Sequence, residues 1–313
     1  MRQSTVTGVG RAVVALSCAT ALVVSGCGSE VLGQGSVATG PAPGTSPDAQ
    51  PGADAQPGAG GLSVPDVEPP PAGAVVDYQI GGAYPPAADV GVVIRDRSEP
   101  PVDGVYSVCH LNAFQAQPHE ASAWSGQHAD LVLRGPGGDV VEDSEWDEAL
   151  LDISSDAKRS RLAAIVDGWL ADCADRGFRS VEPDNLDSWT RSGGRLTRAD
   201  AVAYADLLVD RAHTRGLAVA QKNAAELTDE EIRRVGFDYA VAEDCQLYSW
   251  GRGSECDRYL AAYGDRVIEI EYTDGGSRAF ETACRLRGDR ISVLLRDRDV
   301  VPRGEPGYVN RSC

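Results

Sequence analysis

The chain has 313 residues, of which 42% are hydrophobic and 24% charged, and its formal net charge is −18. This length and apolar content are enough for a sizeable hydrophobic core. The negative charge makes nucleic acid and anionic membrane surfaces poor partners and would attract a cationic ligand, although many acidic surfaces serve only solubility. We therefore expect a folded protein that does not bind nucleic acid.

The amino-terminal stretch has the pattern of an export signal. Arg2 and Arg11 precede an apolar run from Ala12 to Val24, and small residues then lead to Cys27. The run is shorter than the roughly 20 apolar residues of a membrane-spanning helix, so residues 1–26 are predicted to be a signal peptide. The letters "VSGC" resemble the lipobox of bacterial lipoproteins, which predicts lipidation of Cys27 and membrane contact only through that anchor. An ordinary cleaved signal is the alternative.

Residues 27–73 are predicted to be a disordered linker. They are rich in Gly, Pro, Ala and Gln, and "DAQPGA" occurs twice in succession, at 48–53 and 54–59. Such a segment cannot bury enough apolar surface to fold. The remaining residues, 74–313, have the length of a single domain. Function is therefore expected in residues 74–313, on the extracytoplasmic side of the membrane.

The cysteines predict disulfides. Of the 8 cysteines, Cys18 lies in the signal and Cys27 at the anchor, which leaves six in an exported chain. An even number in an oxidising compartment suggests up to three disulfides, with 15 possible pairings. Closeness in sequence favours Cys245 with Cys256 and Cys284 with Cys313, and Cys109 would then meet Cys173 by default. The chain has no CxxC or Cys/His cluster, so we expect no metal and no cofactor.

The folded part alternates apolar runs with helical patterns. Residues 154–177 place apolar side chains at helical spacing, and Thr197 with Asp200 and Thr228 with Glu231 have the spacing of capping boxes. Alternating strands and helices predict an α/β fold with a parallel sheet. Nine runs over 240 residues fit a single-domain (β/α)8 TIM barrel with one surplus run. The runs are "AVVDYQIGG", "DVGVVIRDR", "GVYSVCHLNAF", "ALLDIS", "SVEPDN", "GLAVAQKN", "YAVAEDC", "RVIEIEY" and "ISVLLRDR".

In such a barrel, catalytic groups lie at the carboxyl ends of the strands. Many carboxylates at these ends, without a metal motif, suggest paired carboxyls as in glycoside hydrolysis. The acidic stretch "SVEPDNLDSW" could instead be a loop of turn and capping residues. The residues at the predicted strand ends are Asp96, His110, Asn112, Asp152, Glu182, Asp184, Asn185, Asp187, Lys222, Asn223, Glu243, Glu271, Tyr272 and Arg296.

Four ordered segments, "GFRSVEPDNLDSW", "HTRGLAVAQKN", "FDYAVAEDCQLY" and "VIEIEY", resemble glycoside hydrolase family 114, the endo-α-1,4-polygalactosaminidase-like TIM barrels. "YQIGG" and "WDEALLDIS" resemble further segments of the same family, and the resemblance covers nearly all of Ala74 to Val300. It implies a hydrolase acting on a polysaccharide of galactosamine, a polymer that is cationic when not acetylated. The segment "CHLNAF" departs from the family's YFSAG-like sequence, in a part of the groove that bears on which sugar is bound.

The resemblance implies that Asp184 is the nucleophile and Glu243 the general acid/base. Neighbouring strand ends can bring two carboxyls to about 5 to 5.5 Å, the separation of a retaining mechanism, and a nearby Lys222 would keep the nucleophile ionised. The expected substrate-binding residues are Glu182, Asn185, Asp187, Lys222, Asn223, Asp152, Glu271 and Tyr272.

Two questions stay open at this point. A barrel that binds a polysaccharide or a protein partner without turnover is the alternative to an enzyme, and His110 could either line the groove or pack inside the barrel. Four tryptophans in or near loops could stack on sugar rings or pack in the core. They are Trp124, Trp146, Trp189 and Trp250.

Overall fold

The computed structural model describes residues 67–249 and 254–313. The predicted signal peptide, Cys27 and most of the predicted linker lie outside these ranges, as does Trp250. Within the two ranges, no helix has the length and apolar character needed to cross a membrane.

The described residues form twelve strands and six α-helices. The strands are β1 (Val76–Gln79), β2 (Val92–Asp96), β3 (Tyr106–Asn112), β4 (Gln115–Ala116), β5 (Glu142–Asp143), β6 (Glu148–Leu150), β7 (Ser180–Asp184), β8 (Ala218–Lys222), β9 (Tyr239–Glu243), β10 (Val267–Tyr272), β11 (Ser292–Arg296) and β12 (Asn310–Ser312). The helices are α1 (Ala121–Ser125), α2 (Asp156–Arg176), α3 (Arg198–Thr214), α4 (Asp229–Val235), α5 (Glu255–Tyr263) and α6 (Ser277–Arg287).

Eight parallel strands form a nearly closed barrel. Their spatial order is β1-β2-β3-β7-β8-β9-β10-β11, and every neighbouring pair is parallel. At the seam, the Ser292 hydroxyl of β11 donates a 2.7 Å hydrogen bond to the carbonyl of Ala74, just before β1. The predicted TIM-barrel fold is therefore confirmed. Its strands read as continuous apolar runs because both of their faces are covered.

The surplus run "ALLDIS" is not a barrel strand. It contributes β6, which lies between β4 and β5 in a small antiparallel sheet. This sheet belongs to the long connection between β3 and α2. It matters for function because Trp146 and Glu148 in this connection line the cavity described below.

Four of the six helices, α2 to α5, begin at side-chain caps. Before α2, the Ser155 hydroxyl accepts a hydrogen bond from the backbone N–H of Lys158. The two predicted capping boxes are present at α3 and α4. A third, between Ser254 and Asp257, opens α5 and was not predicted. Each cap satisfies backbone N–H groups that have no partner within the helix.

Side chains alternate along each barrel strand between the interior and the helix layer. The interior nearest the amino ends is apolar, with Val76, Ile94, Val108, Val241 and Ile270 in one buried cluster. Polar and charged side chains take over toward the carboxyl ends. The fold therefore separates a stabilising end from an end that carries the ionisable groups.

Three disulfides join the barrel to its helices and to the chain terminus. Among the described residues they are Cys245–Cys256 and Cys284–Cys313, the two pairs that closeness in sequence favoured, and Cys109–Cys173, the pair that remained by default. The last one anchors β12, which pairs antiparallel with β11. From β12, the Asn310 amide also donates to Asp77 of β1 at 2.9 Å, so the terminal strand bridges the seam of the barrel.

Residues 67–73, which were predicted to belong to the linker, contact the barrel. Val67 contacts the interior cluster, and the carbonyl of Glu68 accepts a hydrogen bond from Tyr106 of β3. The Gly- and Pro-rich composition of this segment is that of a linker, so the sequence does not indicate that it contacts the barrel. The folded part therefore begins no later than residue 67.

Candidate active site

The site is built on one buried cation, the ammonium of Lys222 at the end of β8. Its Nζ lies 2.9 Å from Glu182 Oε1, 3.2 Å from Asp184 Oδ1 and 3.5 Å from Glu243 Oε2. It also donates to the Tyr78 hydroxyl at 3.1 Å. Burial lowers the pKa of Lys222, but the three carboxylates, with Asp184 the strongest, raise it well above the ordinary value. The ammonium therefore stays protonated.

Asp184, at the end of β7, is held as a carboxylate. Burial opposes ionisation, yet Lys222 and then His110 lower the pKa of Asp184 far below its usual range. The backbone N–H of Asn185 also donates to its Oδ1 at 2.6 Å. The Asp184 side chain keeps 20% of its surface exposed. It is thus an ionised and reachable carboxylate at neutral pH.

His110 of β3 provides the second cation beside Asp184. Its Nε2 lies 3.1 Å from Asp184 Oδ2, and its Nδ1 lies 3.9 Å from Asp96 Oδ2. Burial lowers the pKa of His110, but hydrogen bonding to Asp184 and Asp96 outweighs it and raises the pKa to about 10. The ring is therefore an imidazolium that donates to Asp184. The structure decides the open question for His110, since the residue both is buried and lines the cavity.

Glu243, at the end of β9, has a donor on each oxygen. The Tyr272 hydroxyl donates to Oε1 at 2.5 Å, and the Asn223 amide donates to Oε2 at 2.9 Å. Asn223 Oδ1 in turn accepts from the backbone N–H of Glu243 at 2.9 Å. Burial raises the pKa of Tyr272 well above its usual value, so its hydroxyl keeps its proton and acts as a donor. These contacts fix the orientation of the Glu243 carboxyl.

The two carboxyls lie close together. Asp184 Oδ1 and Glu243 Oε2 are both within 3.5 Å of Lys222 Nζ, so these oxygens can be no more than about 7 Å apart. Glycoside hydrolases use carboxyl pairs about 5 to 5.5 Å apart for retention and about 6.5 to 9.5 Å apart for inversion. This upper limit is compatible with the separation of a retaining pair and excludes most of the range of inverting pairs.

A left-handed residue follows each of the three strands that carry these groups. Asn185 has φ 65°, Asn223 φ 50° and Asp244 φ 53°. Asn and Asp tolerate this region better than other side chains. The chain turns sharply after Asp184, Lys222 and Glu243. This places the backbone N–H of Asn185 against the Asp184 carboxyl and the amide of Asn223 against the Glu243 carboxyl.

A cavity of about 390 Å³ opens above Asp184 and Glu243. Six of the predicted site residues line it, while Lys222 and Glu182 lie buried beneath its floor at 1% and 0% exposure. The structure therefore places these two residues behind the cavity lining, where they act on the charge of the site. The lining residues are Asp184, Asn185, Asp187, Asn223, Glu243 and Tyr272.

Two further predicted site residues lie elsewhere. Asp152 belongs to the surplus run, and its carboxylate accepts from Lys158 and from the Ser154 hydroxyl near the start of α2. Glu271 points away from the barrel interior because it alternates with Tyr272. Its carboxylate accepts from the backbone N–H groups of Gln246 and Leu247, and burial raises its pKa to about 8. Neither side chain lines the cavity, so the structure does not bring these two residues together with Asp184 and Glu243.

Sequence reasoning missed several groups at the cavity. Glu148 accepts from the Asn112 amide at 2.8 Å, and burial followed by the nearby Asp184 raises its pKa. Arg191 contacts Asp187 at 2.9 Å and Asp143 at 2.8 Å. Glu148 lies in "WDEALLDIS", and the resemblance of this segment to the family could have identified Glu148 as a site residue. No sequence feature pointed to Arg191, because its position depends on the one-turn helix after β7.

The tryptophans divide between core and cavity. Trp124 is buried at 4% exposure, and Trp189 packs against the core. Trp146 is 46% exposed and lines the cavity. Among the described residues, the group of side chains close enough to ligate a metal is Cys245, Cys256 and Glu269. Those two cysteines form a disulfide, so the group offers no thiolate.

A family model of glycoside-hydrolase family GH114 matches residues 62–313. The chain belongs to this family. It is therefore a glycoside hydrolase, and its Lys222-centred carboxyl pair lies at the end of the barrel where such enzymes carry their active sites.

Two solved structures illustrate the likeness of fold. Ega3 of Aspergillus fumigatus, crystallised with galactosamine, is 20% identical with a TM-score of 0.61, and the match covers 80% of this chain and 100% of that one. The glycoside hydrolase domain of PelA from Pseudomonas aeruginosa is 17% identical with a TM-score of 0.52, covering 76% and 97%. A comparison with curated protein sequences gave no match.

Proposed function

We propose that this enzyme cleaves α-1,4-linked galactosamine-containing polysaccharide by a retaining mechanism, with Asp184 as nucleophile and Glu243 as general acid/base. The observation that carries the proposal is the contact of one buried ammonium with both carboxyls. Both side chains nevertheless stay about one-fifth exposed to the same cavity. A site that only bound sugar would have no need of an ionised carboxylate beside a second carboxyl.

In the first step, the ionised Asp184 attacks the anomeric carbon. The bond from that carbon to the leaving oxygen breaks, and Glu243 gives its proton to this oxygen. The product is an ester between the sugar and Asp184. In the second step, Glu243 takes a proton from water, the water oxygen bonds to the anomeric carbon, and Asp184 leaves as a carboxylate. Two inversions give net retention.

The surrounding groups have separate tasks in this scheme. Lys222 and His110 keep Asp184 ionised before attack, and they stabilise it again when it leaves. Tyr272 and Asn223 orient Glu243 toward the glycosidic oxygen. Asn185 and Asp187 line the cavity and would contact the sugar.

The charge of the cavity supports a cationic substrate. Its lining acids outnumber its lining cations, and the chain as a whole carries −18. The acids in addition to the catalytic pair are Asp143, Glu145, Glu148, Asp187 and Asp299, and the cations are His110, Arg191 and Arg298. Free amino groups of a galactosamine polymer are protonated at neutral pH and would be drawn toward this field. The presence of galactosamine in the Ega3 crystal is consistent with this choice of substrate.

Export and anchoring are part of the same proposal. A lipid on Cys27 would hold the barrel on the extracytoplasmic side of the membrane, with the residues up to about 66 as a tether. Replacing Cys27 by Ser should move the protein from the detergent-soluble membrane fraction to the soluble fraction. Unchanged fractionation, with no lipid on the amino-terminal peptide by mass spectrometry, would contradict the anchor.

The enzymatic proposal is tested with defined α-1,4-galactosamine polymers, de-N-acetylated and N-acetylated. Wild-type protein should cleave at least one of them, and Asp184→Asn and Glu243→Gln should each lower kcat by about a thousandfold or more. NMR of the newly released reducing end should show the α anomer first. Cleavage that survives both substitutions, or a first product of β configuration, would refute the assigned roles.

A further inference from the structure

The carboxyl of Glu271, on the outer face of β10, has no place in the catalytic scheme. It is fully buried, and within residues 67–249 and 254–313 it forms no ion pair, since Arg287 of α6 pairs with Glu269 at 2.7 Å. Burial raises the pKa of Glu271 to about 8, and the charges of Glu269 and Asp244 add to this effect. A buried carboxyl without a cation destabilises the folded protein, so its hydrogen bonds must compensate the cost.

Both oxygens of Glu271 accept backbone N–H groups from the turn that follows β9. Oε1 accepts from Gln246 at 2.8 Å, and Oε2 accepts from Leu247 at 3.2 Å. Among side chains, only a carboxylate offers two oxygen acceptors with no donor beside them. An amide would place an NH2 group against one of the two N–H groups. The turn is therefore held by the type of side chain that satisfies both donors.

The same turn returns a carboxylate to β10. Asp244, which directly follows Glu243 and has φ 53°, accepts from the backbone N–H of Tyr272 at 3.2 Å. Its own backbone N–H donates to the carbonyl of Ile270 at 2.7 Å. Glu271 and Asp244 thus form a reciprocal clamp, in which each carboxyl binds the backbone of the other residue's segment.

The reciprocal clamp lies beside the contact that orients Glu243. The Tyr272 hydroxyl donates to Glu243 Oε1 at 2.5 Å, and the two residues are the chain neighbours of Glu271 and Asp244. Adjacent side chains on a strand point to opposite faces, so Glu271 holds from the outside a strand end whose Tyr272 acts inside. A displacement of about 1 Å in a catalytic group can cost about a hundredfold in rate.

We propose that Glu271 is a positioning residue for the general acid/base, Glu243. It holds the backbone of the turn after β9, and this fixes the Glu243 carboxyl against the Tyr272 hydroxyl. Glu271 itself does not touch the substrate. The inference rests on the proposed function, because that function assigns the acid/base role to Glu243.

Activity is measured with the full-length enzyme on an α-1,4-galactosamine polymer. Glu271→Gln, which leaves one acceptor oxygen, should lower kcat about tenfold and Glu271→Ala about a hundredfold, with KM within about threefold of wild type. In the Glu243→Gln background, added Glu271→Gln should lower the residual kcat by less than about twofold, because the group that it positions is already lost.

The matched control is Asp238→Ala at the opposite end of the barrel. Asp238 is a partly buried carboxylate that accepts the backbone N–H of Val219 at 2.8 Å. Its removal should lower stability and leave kcat unchanged. Melting curves check that each variant folds, and Glu271→Gln carries the test if Glu271→Ala does not fold.

Hydrogen exchange gives a readout that does not depend on activity. The backbone amides of Gln246 and Leu247 should exchange at least about tenfold faster in Glu271→Gln, because each loses all or part of its acceptor. The amides of β8 should exchange as in wild type. Unchanged exchange at Gln246 and Leu247 would refute the hold of Glu271 on the turn.

The outcomes separate this inference from the proposed function. If Glu243→Gln loses activity while Glu271→Gln and Glu271→Ala keep the wild-type kcat, the positioning role is refuted and the proposed function stands. An equal loss from Glu271→Gln in both backgrounds would show a general structural role and also refute it. If the wild type cleaves no such polymer, or Glu243→Gln keeps full activity, the proposed function is wrong, and faster exchange at Gln246 and Leu247 would still show that Glu271 holds the turn.

Discussion

His110 Nε2 lies 3.1 Å from Asp184 Oδ2, so an imidazolium on β3 directly contacts the proposed nucleophile on β7. Lys222 contacts the other oxygen of the same carboxylate, Oδ1, at 3.2 Å. The histidine thus places a second positive charge on the Oδ2 side of Asp184. Its consequences can be measured in activity and in stability.

His110→Gln should move the acidic limb of the kcat/KM profile upward by roughly one pH unit, because Asp184 loses one of two cations that favour its ionised form. A pH–rate profile on the polymer measures this. His213→Gln is the matched control, since His213 pairs with Asp238 on the outer layer at 2.9 Å. An acidic limb that stays in place in His110→Gln would show that His110 does not act on Asp184.

The same histidine should make stability depend on pH. The folded state raises the pKa of His110 from 6.5 to about 10. The unfolded chain therefore releases this proton first as pH rises, so the stabilisation is complete below about pH 6.5 and is lost through about pH 10. Urea unfolding of wild type and His110→Gln at pH 6 and pH 10 should show a difference in free energy of unfolding that shrinks at pH 10. A constant difference would contradict a buried imidazolium.

Lys222→Met should both destabilise the protein and abolish activity. It leaves Glu182, Asp184 and Glu243 without their shared cation, and breaking a buried ion pair in this way costs about 3 to 5 kcal/mol. Urea unfolding and kcat are the measurements. Adding Glu182→Gln should restore part of the stability without restoring activity, because it removes one uncompensated charge but returns no cation to Asp184. Full recovery of activity in the double variant would exclude the electrostatic role of Lys222.

Gly81→Ala should disturb the cavity wall. A Cβ at Gly81 would lie 2.4 Å from the carbonyl oxygen of Val300, a residue with φ 48° that also lines the cavity. We expect a loss of about 1 to 3 kcal/mol in stability together with a lower kcat/KM. Gly168→Ala is the contrasting control, since its Cβ meets nothing within 4 Å inside α2 and should stabilise the helix by about 0.5 to 1 kcal/mol. Equal effects of the two substitutions would contradict the clash.

Loss of the Cys284–Cys313 disulfide should loosen the seam of the barrel. The bond closes a loop between residues 29 apart and holds β12 against β11. Cys284→Ser with Cys313→Ser should lower the free energy of unfolding by about 2 to 4 kcal/mol. Hydrogen exchange should rise first in β12. Protection of β12 that matches wild type would show that its pairing alone holds the terminus.

Much of the fold was determined by the sequence alone. Eight of nine apolar runs are barrel strands, and the capping pairs Thr197/Asp200 and Thr228/Glu231 open helices as predicted. These features follow from local rules, namely apolar runs for buried strands and short-range side-chain caps. The surplus run could not be excluded in this way, because "ALLDIS" is apolar like the runs of the barrel strands, and only the pairing of β6 with β4 and β5 distinguishes it.

Tertiary structure decided which of the strand-end residues meet. Tyr272 enters the site and Glu271 leaves it because adjacent side chains on a strand point to opposite faces, and the sequence does not show which face is inside. Glu182 and Lys222 lie under the cavity floor. The sequence does not show this, because it depends on the level along each strand at which the packed interior ends and the cavity begins. Glu148 and Trp146 reach the same cavity from a loop sheet more than thirty residues earlier in the chain than Asp184. The sequence therefore determined which ionisable and amide side chains stand at the strand ends, and the closing of the barrel determined the distances between them.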